Sequence, residues 1–219
     1  MKYTDIIWDF NGTILDDVDA GILSVNKLLS DRGLPTIPDK EYYRSVFTFP
    51  IIEYYRALGF DFEAEPYEAL APLWVAEYLK NSKNSTLKEG FFEALENFAC
   101  LGLRQHVLSA TECSMLRKQL LELGIDTHFD SICGLDNIHA SSKTALALRW
   151  RDKHPNAIPL FIGDTEHDFE TAKTIGCDCA LVCDGHQSKE RLMSCEGAYL
   201  FDSLSDFLTS FVKKEGFGA

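Results

Sequence analysis

From about residue 90 onward the chain alternates short apolar runs with stretches of helical spacing, and this alternation constrains its fold more than any other feature. The spacing predicts helices over residues 90–101, 112–123, 143–153 and 167–175. Strand-like runs follow them at 104–109, 129–133, 158–162 and 179–183. Strands separated by helices of this length pair in parallel, because the crossover helix carries the chain back over a face of the sheet. Crossovers of one hand then bring the carboxyl ends of the strands to one edge, where ligand sites of open α/β sheets lie. The expected fold class is α/β, a Rossmann-like parallel sheet.

The first strand stands apart from the others. Residues 4–10 contain Ile6, Ile7 and Trp8 and end at Asn11-Gly12, a turn signal. Apolar positions then change to helical spacing over 16–33, with Val18, Ile22, Val25 and Leu29 on one face, and Gly33 and Pro35 mark a stop. Residues 39–80 read as mostly helical and rich in aromatics, and 81–85 as a polar linker. The expected organisation is a core of residues 1–14 and 86–219, interrupted by a helical insertion over 15–85. The aromatics of the insertion are expected to be mostly its own core.

A formal charge of −13 in 219 residues disfavours nucleic acid and anionic membrane as partners. No run approaches the length needed to span a bilayer. The N-terminal residues show no leader pattern, and seven scattered cysteines read as reduced thiols, so the expectation is a cytoplasmic protein. Cys177, Cys179 and Cys183 cluster within an apolar run and read as core residues.

Four polar signals fall where strands end or helices begin. They are Asp9-Phe10-Asn11-Gly12-Thr13, Ser109-Ala110-Thr111, Lys143, and Gly163-Asp164-Thr165-Glu166-His167-Asp168. Singly, each reads as a cap, a turn or a solvated residue. Together, in this order and along one sheet edge, they point to a site. A carboxylate at a strand end can serve as a nucleophile, and clustered carboxylates suit a hard divalent cation.

In these motifs the chain resembles the haloacid dehalogenase superfamily, in particular its phosphoglycolate-phosphatase-like branch with a helical cap. The resemblance implies a phosphohydrolase in which Asp9 is the nucleophile and Mg²⁺ is the cofactor, bound by Asp9, Asp164 and the backbone carbonyl of Asn11. It implies that Ser109 and the backbone amides near Phe10, Asn11 and Ala110 hold phosphate oxygens. Lys143 would offset charge on Asp9 and the phosphoryl group, with Thr13 and Asp168 supporting the ligands. Residues 15–85 would be the cap, and the partner a small phosphorylated metabolite. Arg44 and Arg56 are the candidates within the insertion for a second anionic group on that metabolite. Oligomeric state is not legible.

The departure from the family pattern is Asn11, which stands where family phosphatases carry the Asp that protonates the leaving oxygen and then activates water. An amide does neither, and such assistance is worth roughly a hundred- to ten-thousand-fold in rate. Three readings stay open: substrates with good leaving groups, such as acyl or aryl phosphates; a stand-in group, with His167 and His186 as candidates; or a protein that binds phosphate compounds without turnover. Deamidation at Asn11-Gly12 would restore the family residue. A metal-free dehalogenase is disfavoured by the pair of carboxylates Asp164 and Asp168.

Overall fold

The computed structural model describes residues 2–136 and 143–212. Strand β1 (Asp5–Trp8) is central in a six-stranded sheet. On one side of it lie β4 (Arg104–Glu112) and β5 (Ser131–Leu135); on the other lie β6 (Pro159–Gly163), β7 (Asp178–Val182) and β8 (Tyr199–Phe201). All of these pairings are parallel, with Ile7 opposite both His106 and Phe161. Strand β8 and the short helices α9 (Lys189–Leu192) and α10 (Leu204–Phe207) extend the anticipated sheet. They escape sequence reading because three or four residues carry too little periodicity to register.

Period-two alternation sorts the strand residues between two cores. Ile6, Trp8, Val107, Leu160, Ile162, Ala180 and Val182 face one cluster, which is closed by α5 (Phe91–Cys100), α6 (Cys113–Glu122) and α10. Ile7, Leu108, Phe161, Cys179 and Leu181 face the other, beneath α7 (Lys143–Lys153) and α8 (Glu166–Thr174). Both faces are therefore buried, which is why these strands read as unbroken apolar runs. Trp8 packs edge-on to Phe91 at 5.4 Å between ring centroids, and its Nε1 donates to Gln105 Oε1 at 3.1 Å.

Between β1 and β4 the chain leaves the sheet through β2 (Leu15–Asp16) and returns through β3 (Thr86–Leu87), which pair antiparallel. The segment expected to be linker, 81–85, instead carries the last residue of a helix and a 3-10 turn, Ser82–Asn84, just ahead of β3. Four helices lie between: α1 (Val18–Asp31), α2 (Lys40–Val46), α3 (Ile51–Ala57) and α4 (Tyr67–Asn81). Pro50 and Pro66 precede α3 and α4; a residue without an N–H suits a helix start. Val18, Val25, Leu28, Leu29, Leu58 and Leu70 form a third apolar cluster with Tyr43, Tyr54 and Tyr55. No helix among the described residues is long and apolar enough to cross a membrane.

Candidate active site

The strand-end motifs converge. Asp9 follows β1, and its backbone N donates to Ile162 O at 2.8 Å, which fixes it against the neighbouring strand β6. Asp164 follows β6. Asp168 lies in the first turn of α8, and Lys143 opens α7. Ligand oxygens of Asp9, Asp164 and Asp168 lie within 4.8 Å of one another, the only such group of potential metal ligands among the described residues. Lys143 Nζ donates to Asp9 Oδ1 at 2.5 Å and also to Asp168 Oδ1. All four side chains are buried.

Each supporting contact has a local cause. Asp168 Oδ2 accepts from the backbone of Asp164 and of Thr165, at 3.0 Å each, and from Thr165 Oγ1 at 2.7 Å. This is the capping box of α8, so Asp168 both starts the helix and aims its other oxygen at Lys143. Asp164 Oδ1 accepts from Thr13 Oγ1 at 3.0 Å, and Oδ2 accepts from His186 N at 2.6 Å. The backbone crowds this carboxylate. A Cβ on Gly12, which has φ +74°, would come within 2.3 Å of Asp164 Oδ2, and one on Gly185 within 2.2 Å. Only glycine lets the two loops close this tightly.

Electrostatics follows from three carboxylates facing one ammonium. Burial, together with Asp168 and Asp164, raises the Asp9 carboxyl well above its ordinary range, against the opposing pull of Lys143. Burial raises Asp164 to about 6. Burial acts on Asp168 in the same sense, but Lys143 and the capping-box hydrogen bonds outweigh it and hold Asp168 low. Burial opposes charge on Lys143, yet Asp168 and Asp9 keep it protonated. The donor set is hard oxygen with an excess of negative charge, which suits a small divalent cation.

Asn11 occupies a network that the sequence does not reveal. Its Nδ2 donates to Asp17 Oδ2 at 2.7 Å and to Tyr78 Oη at 2.6 Å, and its Oδ1 accepts from Thr111 Oγ1 at 2.7 Å. Tyr78 Oη donates to the same Asp17 oxygen at 2.6 Å, and Gly12 N donates to Asp17 Oδ1 at 2.8 Å. His186 Nε2 lies 3.2 Å from Asp17 Oδ1, while its Nδ1 lies 2.8 Å from Tyr43 Oη. Burial disfavours a charge on His186, but Asp17 outweighs it and raises the ring's pKa. Burial would raise Asp17, and His186 with these hydrogen bonds holds it low.

The network changes the meaning of Asn11. The side chain is gripped as an amide, with its NH₂ on a carboxylate, so an Asp at position 11 would set two buried carboxylates in contact. The idea that deamidation repairs the motif is therefore at odds with the structure. Of the two histidines offered as stand-ins, both border the cavity. His186 is buried, because Phe47 stacks on it at 5.0 Å and Asp17 draws it inward. His167 stacks on Phe49 at 4.8 Å.

The remaining predicted residues divide. Ser109 Oγ accepts from Thr111 N and donates to Thr111 Oγ1, both at 3.1 Å, where β4 shifts register between Leu108 and Glu112. Ser109 and Ala110 line the cavity beside Asp9, Asn11 and Lys143. The Phe10 side chain is core, and only its backbone is on hand at the turn. Arg44 and Arg56 are not at the site. Arg44 donates to the carbonyls of Asp184 and Gly185, and Arg56 pairs with Glu53. Asp17 and Tyr78 were missed, and Thr111 was named only within the Ser109-Ala110-Thr111 signal, without a role of its own. The one sequence signal was Asp16-Asp17 ahead of a helix, which reads as favourable charge at a helix start.

A cavity opens over the carboxylates. Its far side is made by the insertion: Phe47 and Phe49 from the turn between α2 and α3, Tyr54 from α3, and Tyr67, Trp74 and Tyr78 from α4 line it. These aromatics are mostly the insertion's own core, as expected, and several of them border the cavity as well. Phe47, Phe49 and Trp74 are only half-buried, since one side of each ring meets the cavity.

Comparison with known proteins agrees with this geometry. A family model described as haloacid dehalogenase-like hydrolase matches residues 6–182. A tyrosine-protein kinase, PtkA, of Mycobacterium tuberculosis is 26% identical over 184 residues, which are 83% of this chain and 62% of that protein. This chain thus spans less than two thirds of that relative's length. An N-acetylmuramic acid 6-phosphate phosphatase of Pseudomonas putida is 25% identical over 190 residues, 85% of each protein. Among solved structures, a haloacid dehalogenase-like hydrolase of Streptococcus pneumoniae superposes with a TM-score of 0.80 at 20% identity, over 96% of this chain and 99% of that one.

Proposed function

Because the chain belongs to the haloacid dehalogenase-like hydrolase family, we propose that it is a magnesium-dependent phosphatase that hydrolyses a small phosphorylated metabolite through an aspartyl phosphate on Asp9. The observation that carries this reading is the buried group of Asp9, Asp164 and Asp168 around Lys143 at the floor of a cavity. A nucleophilic carboxylate approaches an anionic phosphate only if charge is neutralised. Asp9, Asp164 and the backbone carbonyl of Asn11 would hold Mg²⁺, which supplies that neutralisation when bound.

The chain's own groups account for the rest. Asp9 is held by Lys143 through one oxygen, which leaves the other to attack phosphorus as the ester P–O bond breaks. Lys143, Ser109 and the turn amides at Phe10, Asn11 and Ala110 bind the phosphoryl oxygens. Water then attacks the phosphorus of the aspartyl phosphate, and Asp9 is released. Residues 15–85 act as the cap. Its Phe47 carbonyl accepts from Arg191 Nη1 at 2.5 Å and from Gln187 Nε2 at 3.1 Å, contacts that support closure onto the sheet edge.

The test is steady-state hydrolysis of aryl and alkyl phosphates with Mg²⁺ and with EDTA, for the wild type and Asp9→Asn. Turnover that needs both the metal and Asp9, with phosphate recoverable on the protein in a quenched reaction, supports the proposal. A second reading, a phosphate-ligand binder without turnover, draws on one observation: Asn11 is locked as an amide by Asp17. Metal-dependent ligand binding with no hydrolysis of any ester would favour it.

A further inference from the structure

The side of the cavity that receives the leaving group is aromatic and, among the described residues, offers no free ammonium or guanidinium to a substrate. Lys143 is the only Lys or Arg among the described lining residues, and it lies at the floor with Asp9 and Asp168, where the phosphoryl group rather than the leaving group would meet it. The basic residues nearby are occupied as well. Lys88 lies 2.9 Å from Asp184 O and 3.1 Å from its carboxylate. Arg44 and Arg191 are spent on backbone carbonyls that join the helices to the sheet. Asp17 and Glu112 add negative charge to the lining. His186, the buried imidazole of the lining, is engaged by Asp17 and Tyr43. A substrate with a second anionic group would meet repulsion here and no free Lys or Arg among the described residues.

What the wall does offer is flat apolar surface. Trp74 and Tyr78 stack at 4.9 Å with 12° between their planes, and Phe47 and Phe49 meet edge-on at 5.6 Å. Met115 completes the lining from α6. The rings are already ordered against one another, so an aromatic ligand would fill the space without costly rearrangement.

The second observation is chemical and independent of the wall. Asn11 cannot protonate a leaving oxygen, and its amide is fixed by Asp17, Tyr78 and Thr111. A phenol departs as phenolate without a proton from the enzyme, whereas an alkoxide does not.

We propose that the substrate is an aryl phosphate monoester, its ring held between Trp74 and Phe49. The assignment rests on the phosphatase reading above and names the substrate class of that same site. An Asp9 oxygen bonds to phosphorus as the bond to the phenolic oxygen breaks. The electron pair leaves on the phenolate, which is protonated by solvent. Water then attacks phosphorus, the bond to Asp9 breaks, and the water's proton passes to a phosphate oxygen. An acyl phosphate would satisfy the missing acid equally but would leave the aromatic wall unfilled.

The deciding experiment separates binding from turnover. Phenylphosphonate and phosphonoacetate, neither of which the enzyme can hydrolyse, are titrated into the wild type with Mg²⁺ by calorimetry. The aryl ligand is expected to bind about ten- to a hundredfold tighter, the gain from burying one ring. Trp74→Ala and, separately, Phe49→Ala should remove most of that advantage and leave phosphonoacetate unchanged. Equal or tighter binding of phosphonoacetate overturns the proposal, as does a ratio that neither substitution moves. Turnover of phenyl phosphate against 2-phosphoglycolate is then measured. If neither is hydrolysed, the phosphatase reading fails while the phosphonate ratio still decides the ligand class. Free O-phosphotyrosine and a phosphotyrosyl peptide, compared by kcat/KM, distinguish a small metabolite from a protein side chain as the source of the aryl ester.

Discussion

The wall of the cavity formed by the sheet edge and the wall formed by the inserted helices enclose the same space by different means. At the sheet edge the polar groups are held from several directions. Asp168 is fixed by its capping box and Lys143, and Asp164 by Thr13 and the His186 backbone. The geometry there is dictated by hydrogen bonds of narrow angular tolerance. In the helices the cavity is lined by rings whose packing contacts are non-directional, and the Tyr54 hydroxyl is buried with no hydrogen-bond partner among the described residues. The first wall suits one charged group in one orientation. The second suits a class of apolar shapes. Substitutions should therefore act on chemistry at the sheet edge and on affinity or stability among the helices.

The largest effect is expected from Asp9→Asn, which should cut phosphate-ester hydrolysis by about a thousandfold or more while circular dichroism stays native. Retained turnover would erase the distinction between the two walls. Next, Trp8→Ala in the sheet should cost about 3–5 kcal/mol, because Trp8 is fully buried between Phe91 and Phe98. Trp74→Ala, at a half-buried ring on the cavity, should cost about 1–2 kcal/mol by chemical denaturation. A Trp74→Ala loss as large as that of Trp8→Ala would mean that the helical wall is core rather than binding surface.

Asn11→Asp sharpens the comparison further. Restoring the family residue should destabilise the protein by about 3 kcal/mol, since it places an uncompensated carboxylate against Asp17. Adding Asp17→Asn should recover much of that loss, and only in the double variant should alkyl-ester hydrolysis rise. Strict additivity of the two substitutions would show that the residues do not act as a unit. The smallest effect is expected at Tyr54→Phe. Removing a buried, unpaired hydroxyl should leave stability unchanged or raise it by about 1 kcal/mol, read as a shift in the denaturation midpoint.

The elements of the sheet were legible because each is long enough to show a period. Helix α7 ends at the residue its apolar spacing indicates, and β1, β4, β6 and β7 are displaced from expectation by a few residues at most. The ribbon of β2 and β3 and the edge strand β8 are too short for that signal. Asp9, Lys143, Asp164 and Asp168 were legible for a related reason. A polar residue at the carboxyl end of a buried strand, or at the start of the following helix, stands out against its apolar neighbours, and parallel topology sends those ends to one edge.

The sequence by itself therefore determined the α/β architecture and the group of residues at the floor of the cavity, because both depend on contiguous pattern. Only the tertiary structure decided what Asn11 is and what lies above it. The Asn11 network draws Asp17, Tyr78, Thr111 and His186 from segments up to 169 residues apart. The aromatic wall depends on which faces of α2, α3 and α4 turn toward the sheet. A ring at helical spacing looks the same in sequence whether it packs inward or borders a cavity, since apolar periodicity records burial and not what does the burying.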